Sequence, residues 1–556
     1  MSERHFEHWP ERLPRRITPP ATSLYRNIEA PAARHPDKPC LIYYDSALSF
    51  AEFREQTERL AGFLVQRCGV AKGDRVLLYT QNSPQYVVGY YAILRADAVV
   101  VPVNPMNLTN ELRHYVTDTG ATTIITTQEL YPQVQPLLGH GLRCAVVGAY
   151  SDYLHAPTDL RIPDFVAAPR RPIRDHGVTL WSDAVSQNLR PGALMSGPGD
   201  LCVMPYTSGT TGQPKGCMHT HAGVMHTAVG GEHWFGFMAE DVRLATLPFF
   251  HVTGMQGSMN GPLYSGNTTI LMTRWDREVA AELIARYRVT GWKAISTMVV
   301  DFLANPELGR YDLSSLRSIS GGGAAMPAAV AQRLHELCGL KYVEGYGLSE
   351  TIAPTHTNPP HRPKPQCLGI PIFDVEARVI DPTTLREVPA GQTGEIIVRG
   401  PQVFRGYWNN PRATAESFID FDGKQFFRTG DLGRIDEDGY FFMVDRLKRM
   451  INASGFKVWP AEVEAMLYHH PAVQEACIIG ARDTRRGETV KAVVVLRPEA
   501  RGKTTEQDLI DWARGQMAAY KAPRVVEFVD QLPKNASGKI MWRTLQEREL
   551  SQEASA

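Results

Sequence analysis

A run of hydroxyl residues and glycines that ends in a lysine is the first group in this chain that could do chemistry. It reads Tyr-Thr-Ser-Gly-Thr-Thr-Gly-Gln-Pro-Lys-Gly from Tyr206 to Gly216. Glycines let the backbone approach an anion, hydroxyls and amide N–H groups point at it, and the lysine adds a positive charge. The pattern predicts a phosphate-binding loop. Its expected ligands are Thr207, Ser208, Gly209, Thr210, Thr211, Gly212 and Lys215.

A strand and a helix must position such a loop. The apolar run 201–204 precedes it, and residues able to open a helix follow it, which is the context that a phosphate site requires. The spacing differs from that of a Walker P-loop, because Pro214 precedes the lysine and Gly216 follows it. The loop therefore predicts a nucleotide site of another kind.

Three further segments carry groups suited to a nucleotide. The run 320–325 reads Ser-Gly-Gly-Gly-Ala-Ala and lets the backbone pass close to a flat ligand. The run 343–351 reads Val-Glu-Gly-Tyr-Gly-Leu-Ser-Glu-Thr, with an aromatic between glycines and a carboxylate at Glu350. In the run 428–433, Arg-Thr-Gly-Asp-Leu-Gly, Asp431 can accept hydrogen bonds from both ribose hydroxyls.

Together these segments resemble, in order, the motifs of the adenylate-forming superfamily of acyl-CoA synthetases, aryl-CoA ligases, luciferases and peptide-synthetase adenylation domains. The resemblance implies that Tyr346 stacks on adenine, that Glu350 holds Mg²⁺, and that Ser349 or Thr351 contacts the α-phosphate. Read alone, Glu350 is an ordinary loop acid. The nucleotide ligands that the resemblance implies outside the phosphate loop are Gly322, Gly323, Ala324, Glu344, Gly345, Tyr346, Gly347, Ser349, Thr351 and Asp431.

The composition changes after the segment 445–449, and we place the main domain boundary there. The prediction is a large domain over residues 1–445 and a small mobile α+β domain over 446–556. A lysine in the Gly/Ser run 534–540 is usually solvated, but the resemblance makes Lys539 catalytic. The resemblance also implies that the small domain rotates about Asp445 to serve the second half-reaction. The residues expected there are Arg446, Ser454, Gly455 and Lys457.

A histidine in the apolar run 247–254 is the candidate residue beside the acid substrate. Such a histidine is more often a core residue, but the resemblance makes His251 a gate or a pocket wall. The predicted acyl pocket consists of Trp234, Phe250, His251 and Met255. The catalytic residues that the resemblance implies are Lys539, Glu350, Thr210 and His251.

Alternating helix-like and strand-like segments predict an α/β fold, whose large domain holds several subdomains with mixed, mainly parallel sheets covered by helices. Helices are expected at 50–67 and 84–95 and a strand at 75–79, whereas 139–198, rich in Pro, Arg and Asp, is expected to form loops with a short helix.

Charge and cysteine usage limit the function classes. Basic and acidic residues both number 59, which gives no field for nucleic acid. No apolar stretch is long enough to cross a bilayer, so we expect no integral membrane segment. The eight cysteines are dispersed and show no metal-ligand spacing, which predicts reduced thiols and a cytoplasmic protein.

The resemblance therefore implies a ligase that activates a carboxylic acid with ATP and Mg²⁺, releases pyrophosphate, and forms a coenzyme A thioester with release of AMP. A medium- or long-chain fatty acid is the expected substrate, as in bacterial fatty-acyl-CoA synthetases, which places the enzyme in lipid metabolism. An aryl-CoA ligase and a luciferase-like oxygenase are the alternatives. A homodimer is compatible with the sequence. The expected partners are otherwise the acid, ATP and coenzyme A.

Overall fold

A nine-stranded sheet forms the frame of the part of the chain that carries most of the motifs. The computed structural model describes residues 4–207, 214–323, 325–446, 449, 451–453, 456–458, 460–483, 487–534 and 540–555. The strands of this sheet, in spatial order, are Ile370–Pro371, His356–Thr357, Val343–Tyr346, Ser318–Gly322, Gly291–Lys293, Val242–Ala245, Thr268–Leu271, Pro39–Tyr43 and Ser46–Ser49. The six central strands are parallel, and antiparallel strands close both edges.

A seven-stranded sheet is the second layer. Its strands, in spatial order, are His219–Thr220, Leu201–Val203, Val99–Pro102, Arg75–Tyr79, Thr123–Thr127, Cys144–Gly148 and Val178–Leu180. All its strand pairs are parallel except the one at the His219–Thr220 edge. Strand Leu201–Val203 leads into the predicted phosphate loop, as the sequence predicted.

Helices connect the parallel strands and cover the sheets. They are Arg26–Arg34, Phe50–Gln66, Pro84–Arg95, Thr109–Thr119, Tyr131–Val134, Asp164–Ala167, Trp181–Ser186, His221–Phe235, Val252–Gly254, Gly261–Ser265, Arg277–Tyr287, Ser296–Leu303, Ala328–Cys338 and Pro411–Glu416, with a π-helical turn Met255–Asn260. Helix Pro84–Arg95 begins at the Ser83 cap with proline as its first residue. It is buried from Pro84 to Leu94, because it lies in the main core cluster. The predicted α/β class is confirmed.

The chain divides into two compact units. The larger is Met1–Ala377, Val398–Phe427 and Asp438–Phe441, and the smaller is Arg378–Ile397, Arg428–Glu437 and Phe442–Ala556. Strands Glu376–Ile380, Gly394–Arg399, Phe418–Phe421, Lys424–Ile435 and Phe441–Arg446 form a third sheet. The domain boundary after residue 445 stays a prediction.

A five-stranded sheet with its own core organises the smaller unit. Its strands are Phe456–Val458, Ile451–Ala453, Gly487–Leu496, Val473–Asp483 and Val525–Phe528, and its helices are Pro460–Leu467, Glu506–Gln516 and Trp542–Ser555. The long antiparallel pair Val473–Asp483 and Gly487–Leu496 is central, and Val525–Phe528 joins it in parallel.

Two expectations were wrong. The segment 139–198 contributes two parallel strands to the seven-stranded sheet, so it is not only loops with a short helix. Cys68 and Cys144 form a disulfide, contrary to the expectation that all thiols are reduced. In the part of the chain that the structure describes, no helix is both long enough and apolar enough to cross a membrane.

Candidate active site

A two-stranded ribbon holds the base of the predicted phosphate loop. Strand Tyr206–Thr207 pairs with Lys215–Gly216, so that Thr207 faces Lys215. The Tyr206 phenol donates to the Asp118 carboxylate at 2.5 Å, and His114 Nε2 donates to the Pro214 carbonyl at 2.9 Å. These bonds fix both ends of the loop. Its predicted ligands Ser208, Gly209, Thr210, Thr211 and Gly212 lie outside the described residues.

Glu350 lies close to this ribbon. It occupies a 3₁₀ turn, Ser349–Thr351, in which the buried Thr351 hydroxyl accepts a hydrogen bond from the Leu348 amide at 2.9 Å. The Tyr407 phenol donates to Glu350 Oε1 at 2.7 Å. The Lys215 ammonium lies 5.0 Å from the centre of the same tyrosine ring. The structure therefore brings both the predicted phosphate lysine and the predicted metal ligand to Tyr407. The lysine lies over its ring, and the carboxylate accepts from its hydroxyl.

Sequence reasoning did not single out Tyr407, and no local pattern marks it. Burial, followed by the charge of Glu350, raises the pKa of its phenol well above the ordinary value. The phenol therefore stays protonated and acts only as a donor to the carboxylate. A buried carboxylate that is oriented by a neutral donor presents hard oxygen atoms, which Mg²⁺ prefers. Glu350 thus fits the predicted metal-binding role.

His219 supports the same turn from the seven-stranded sheet. Its Nε2 donates to the Ser349 carbonyl at 2.7 Å. Burial lowers the pKa of His219 to about 4, so the imidazole is neutral at pH 7. It therefore fixes the backbone of the Ser349–Thr351 turn without adding charge. Ser349 itself is half-buried.

The two glycine-containing segments lie on adjacent strands. Gly321 pairs with Glu344 and Gly322 with Gly345. A Cβ at Gly322 would lie 2.2 Å from the Gly345 carbonyl oxygen, so only glycine fits there. Gly323 has φ +85°, and Ala324 lies outside the described residues.

Glu344 and Tyr346 occupy the same strand. Glu344 Oε1 accepts a hydrogen bond from the Gln366 amide at 2.8 Å, and burial raises the pKa of this carboxyl to about 7. The half-buried Tyr346 ring lies 5.7 Å from the His356 ring. At Gly347, a Cβ would lie 2.8 Å from the Ala353 Cα, so the backbone of this motif is tightly packed.

The smaller unit carries the remaining predicted ligands. Asp431 is buried, and its amide donates to the Thr429 hydroxyl at 3.1 Å. Asp445 Oδ2 accepts a hydrogen bond from the Ala461 amide at 2.7 Å, at the start of helix Pro460–Leu467. For Arg446 and Lys457 only the strand backbone is described, whereas Ser454, Gly455 and Lys539 lie outside the described residues. Lys534 and Ile540, the described residues on either side of the segment 535–539, form an antiparallel bridge.

The predicted acyl-pocket residues have different surroundings. Trp234 is a core residue whose indole N–H donates to the Asn358 carbonyl at 3.0 Å and whose ring packs edge-on against Trp9 and Phe373. Met255 is buried, and its sulfur accepts a hydrogen bond from Tyr90 at 3.7 Å. The pocket assignment of both residues stays a prediction.

His251 and Phe250 lie on the turn before helix Val252–Gly254. His251 is exposed, and its Nδ1 accepts a weak hydrogen bond from the Thr253 amide at 3.4 Å. Phe250 is half-buried. The Asn82 side chain fixes this turn by donating to the Leu247 carbonyl at 2.9 Å and accepting from the Phe249 amide at 2.8 Å. An exposed side chain on a fixed turn is compatible with the predicted gate.

Comparison with known proteins identifies relatives along nearly the whole chain. The family model for AMP-binding enzymes matches residues 28–408, and that for the C-terminal domain of AMP-binding enzymes matches residues 462–539. A long-chain-fatty-acid–CoA ligase of Bacillus subtilis (strain 168) is 36% identical over 550 residues, which is 97% of each chain. A feruloyl-CoA synthase of an Amycolatopsis species is 34% identical over 89% of this chain and 93% of its own.

Solved structures agree with these matches. The crystal structure of ATP-bound MatB from Rhodopseudomonas palustris has a TM-score of 0.82 and 28% identity, and the match covers 95% of this chain and 98% of that one. The anthranilate CoA ligase AuaEII in complex with anthranoyl-AMP has a TM-score of 0.82 and 27% identity, covering 97% and 99%.

Proposed function

This chain belongs to the AMP-binding enzymes, the adenylate-forming superfamily, and we propose that it is an acyl-CoA synthetase whose acid substrate is a medium- or long-chain fatty acid. The predicted superfamily is thereby confirmed. The observation that carries the proposal is the match to a long-chain-fatty-acid–CoA ligase over 97% of the chain at 36% identity. The enzyme uses ATP, Mg²⁺ and coenzyme A, and we propose that it acts in the cytoplasm as part of lipid metabolism.

In the first half-reaction, an oxygen of the acid's carboxylate attacks the α-phosphorus of ATP. The bond from the α-phosphorus to the bridging oxygen breaks, giving the acyl-adenylate and pyrophosphate. Both reactants are anions, so fixed positive charge at the site lowers the barrier. We assign Lys539 to the reacting oxygens and the loop from Thr207 to Lys215 to the pyrophosphate. Glu350 would hold Mg²⁺, which would supply charge that neutralises the phosphate groups.

The remaining nucleotide assignments follow the exposure of each group. Tyr346, which is half-buried, would stack on the adenine, and Gly322 packs against Gly345 of the same motif, where a Cβ would not fit. The Thr351 hydroxyl bonds within its own turn, whereas Ser349 keeps an accessible surface, so we favour Ser349 as the α-phosphate ligand. Asp431 would accept the ribose hydroxyls.

In the second half-reaction, the sulfur of coenzyme A attacks the acyl carbon. The bond to AMP breaks, and the thiol proton passes to solvent. We propose that a smaller domain over residues 446–556 rotates about Asp445 between the two halves. Arg446, Ser454, Gly455 and Lys457 would then meet the nucleotide and the pantetheine arm.

An aryl acid is the second candidate substrate. The relatives include a feruloyl-CoA synthase and a structure of an anthranilate CoA ligase, both of which act on aromatic acids. The test is a panel of fatty and aromatic acids with ATP and coenzyme A, in which pyrophosphate, AMP and thioester are measured. We expect all three products to form in equal amounts with fatty acids of medium or long chain. Production of ADP, or activity restricted to aromatic acids, would contradict the proposal.

A further inference from the structure

A row of polar side chains lies on one face of the nine-stranded sheet. Gly291 pairs with Arg243 and Lys293 with Ser320 on neighbouring parallel strands. Because strand side chains alternate between faces, Arg243, Lys293 and Ser320 share one face. Lys293 is the last residue of its strand, and ligands of parallel sheets bind at the carboxyl ends of the strands. The lysine therefore lies where a ligand is expected.

The charges in this row do not balance. The Glu232 carboxylate pairs with Arg243 at 3.0 Å and accepts a hydrogen bond from Ser265 at 3.1 Å, with the Arg243 and Glu232 side chains only 2% and 5% exposed. Among the described residues, the Lys293 ammonium contacts only neutral groups, the Ser320 hydroxyl at 3.5 Å and the Phe235 ring centre at 4.8 Å. One anion thus faces two cations, and Lys293 carries the surplus charge.

The ammonium of Lys293 lies between the predicted nucleotide and acyl segments. On one side, Ser320 leads directly into Gly321 and Gly322. On the other side, the lysine stem crosses Gly257 in the π-helical turn that follows His251, where a Cβ would lie 2.1 Å from both Cδ and Cε. Lys293, Gly257 and Phe235 all keep accessible surface.

Burial, followed by the nearby Arg243, lowers the pKa of Lys293 to about 8. Glu232 on the facing helix opposes this shift, and the charged form still predominates at pH 7. A half-buried cation held beside neutral groups gains strongly from an anionic oxygen that reaches it, since charge-assisted hydrogen bonds are stronger than neutral ones.

We propose that Lys293 determines acyl specificity by binding an oxygen substituent, preferably a second carboxylate, on the chain of the acid substrate. This inference rests on the proposed function, because it assigns the substrate class of the same site. A lysine that only fills space above Gly257 would instead be replaceable by methionine, which has a similar stem and no charge.

The test compares saturated monocarboxylic acids with α,ω-dicarboxylic acids of equal length, using the full chain of the wild type and of Lys293→Met. We expect the variant to lose about 10- to 100-fold in kcat/KM for the dicarboxylic acids, the scale of one hydrogen bond to a charged group, and to keep or improve its activity on the monocarboxylic acids. Lys341→Met, at an exposed lysine, is the matched control and should change neither.

Equal losses on both acid series, or no loss, would overturn the inference while leaving the proposed function intact. Absence of pyrophosphate release with every acid in the wild type would overturn both. If Lys293→Met does not fold, Gly257→Ala decides, because its methyl group displaces the lysine stem without removing the charge. A selective loss on dicarboxylic acids supports the inference, and an unchanged ratio between the two series overturns it.

Discussion

Two buried carboxylates of the larger unit are held by different kinds of donor. Glu350 accepts a hydrogen bond from the Tyr407 phenol at 2.7 Å, and Lys215 lies across the same ring. Glu232 pairs with the Arg243 guanidinium at 3.0 Å. A phenol contributes no charge, whereas a guanidinium neutralises its partner. The candidate nucleotide site therefore presents the anion Glu350 and the cation Lys215 together, which suits a complex of metal and phosphate. Near the predicted acyl segment, the Glu232–Arg243 pair is neutral as a whole, so the net charge is that of Lys293.

Removing the charge of Glu232 should have the largest effect on stability. Glu232→Gln leaves the buried Arg243 and the half-buried Lys293 without an anion, and breaking a buried pair in this way costs about 3–5 kcal/mol. We expect a drop of this size in the free energy of unfolding, measured by urea denaturation. The matched control is Glu278→Gln, in a pair whose carboxylate is 49% exposed, with an expected change below about 1 kcal/mol. Equal effects of the two substitutions would contradict the expected difference between a buried and an exposed carboxylate.

Because His219 is buried in its neutral form, the stability of the fold should depend on pH. The pKa of His219 is about 4 in the folded chain and ordinarily about 6.5, so between these values the unfolded chain binds more protons. The stability from His219 is therefore complete above about pH 6.5 and is lost as the pH falls to 4, by up to about 3 kcal/mol. Urea denaturation at pH 7, 6, 5 and 4 measures this loss.

The control for the pH series is His219→Gln, whose amide can still donate to the Ser349 carbonyl but does not titrate in this range. We expect a shallower decline of stability with falling pH in this variant. Identical slopes in the two proteins would show that His219 is not buried in the neutral form.

Lys539 should act on the step that all acids share. Lys539→Ala is expected to lower pyrophosphate release by at least about 100-fold, the scale of losing one oriented donor of charge in the transition state, and by the same factor for every acid. Lys534→Ala is the control, because Lys534 lies five residues before Lys539 in the sequence and pairs with Glu475 at 2.5 Å. A loss that depends on the acid would assign Lys539 to acyl recognition, and an unchanged rate would refute its catalytic role.

Local sequence patterns predicted most of the strands and helices around the site, but not the distant side chains that hydrogen-bond to its residues. Strand Arg75–Tyr79 and helix Pro84–Arg95 have the predicted bounds, because their periodicity and caps lie within a few residues. The strand Cys144–Gly148 was missed, since its short apolar run lies among Pro- and Arg-rich loops. Tyr407 lies 57 residues from Glu350 and His219 lies 130 residues from Ser349. Such pairings come from tertiary packing, which a single sequence does not specify.

Substitution of Tyr407 tests directly what its hydroxyl group contributes. Tyr407→Phe removes the hydrogen bond to Glu350 Oε1 but keeps the ring that faces Lys215. Partners that orient a metal ligand typically contribute about 10-fold or more to metal affinity, so we expect about a 10-fold rise in the Mg²⁺ concentration needed for half-maximal pyrophosphate release. The ratio of rates between acids should not change.

Tyr407→Leu, which also removes the ring, should in addition raise the KM for ATP, because Lys215 loses its contact with that ring. If Tyr407→Phe changed the preference among acids and left the Mg²⁺ requirement unaltered, the phenol would belong to acyl recognition, and the division between the two carboxylates would not hold.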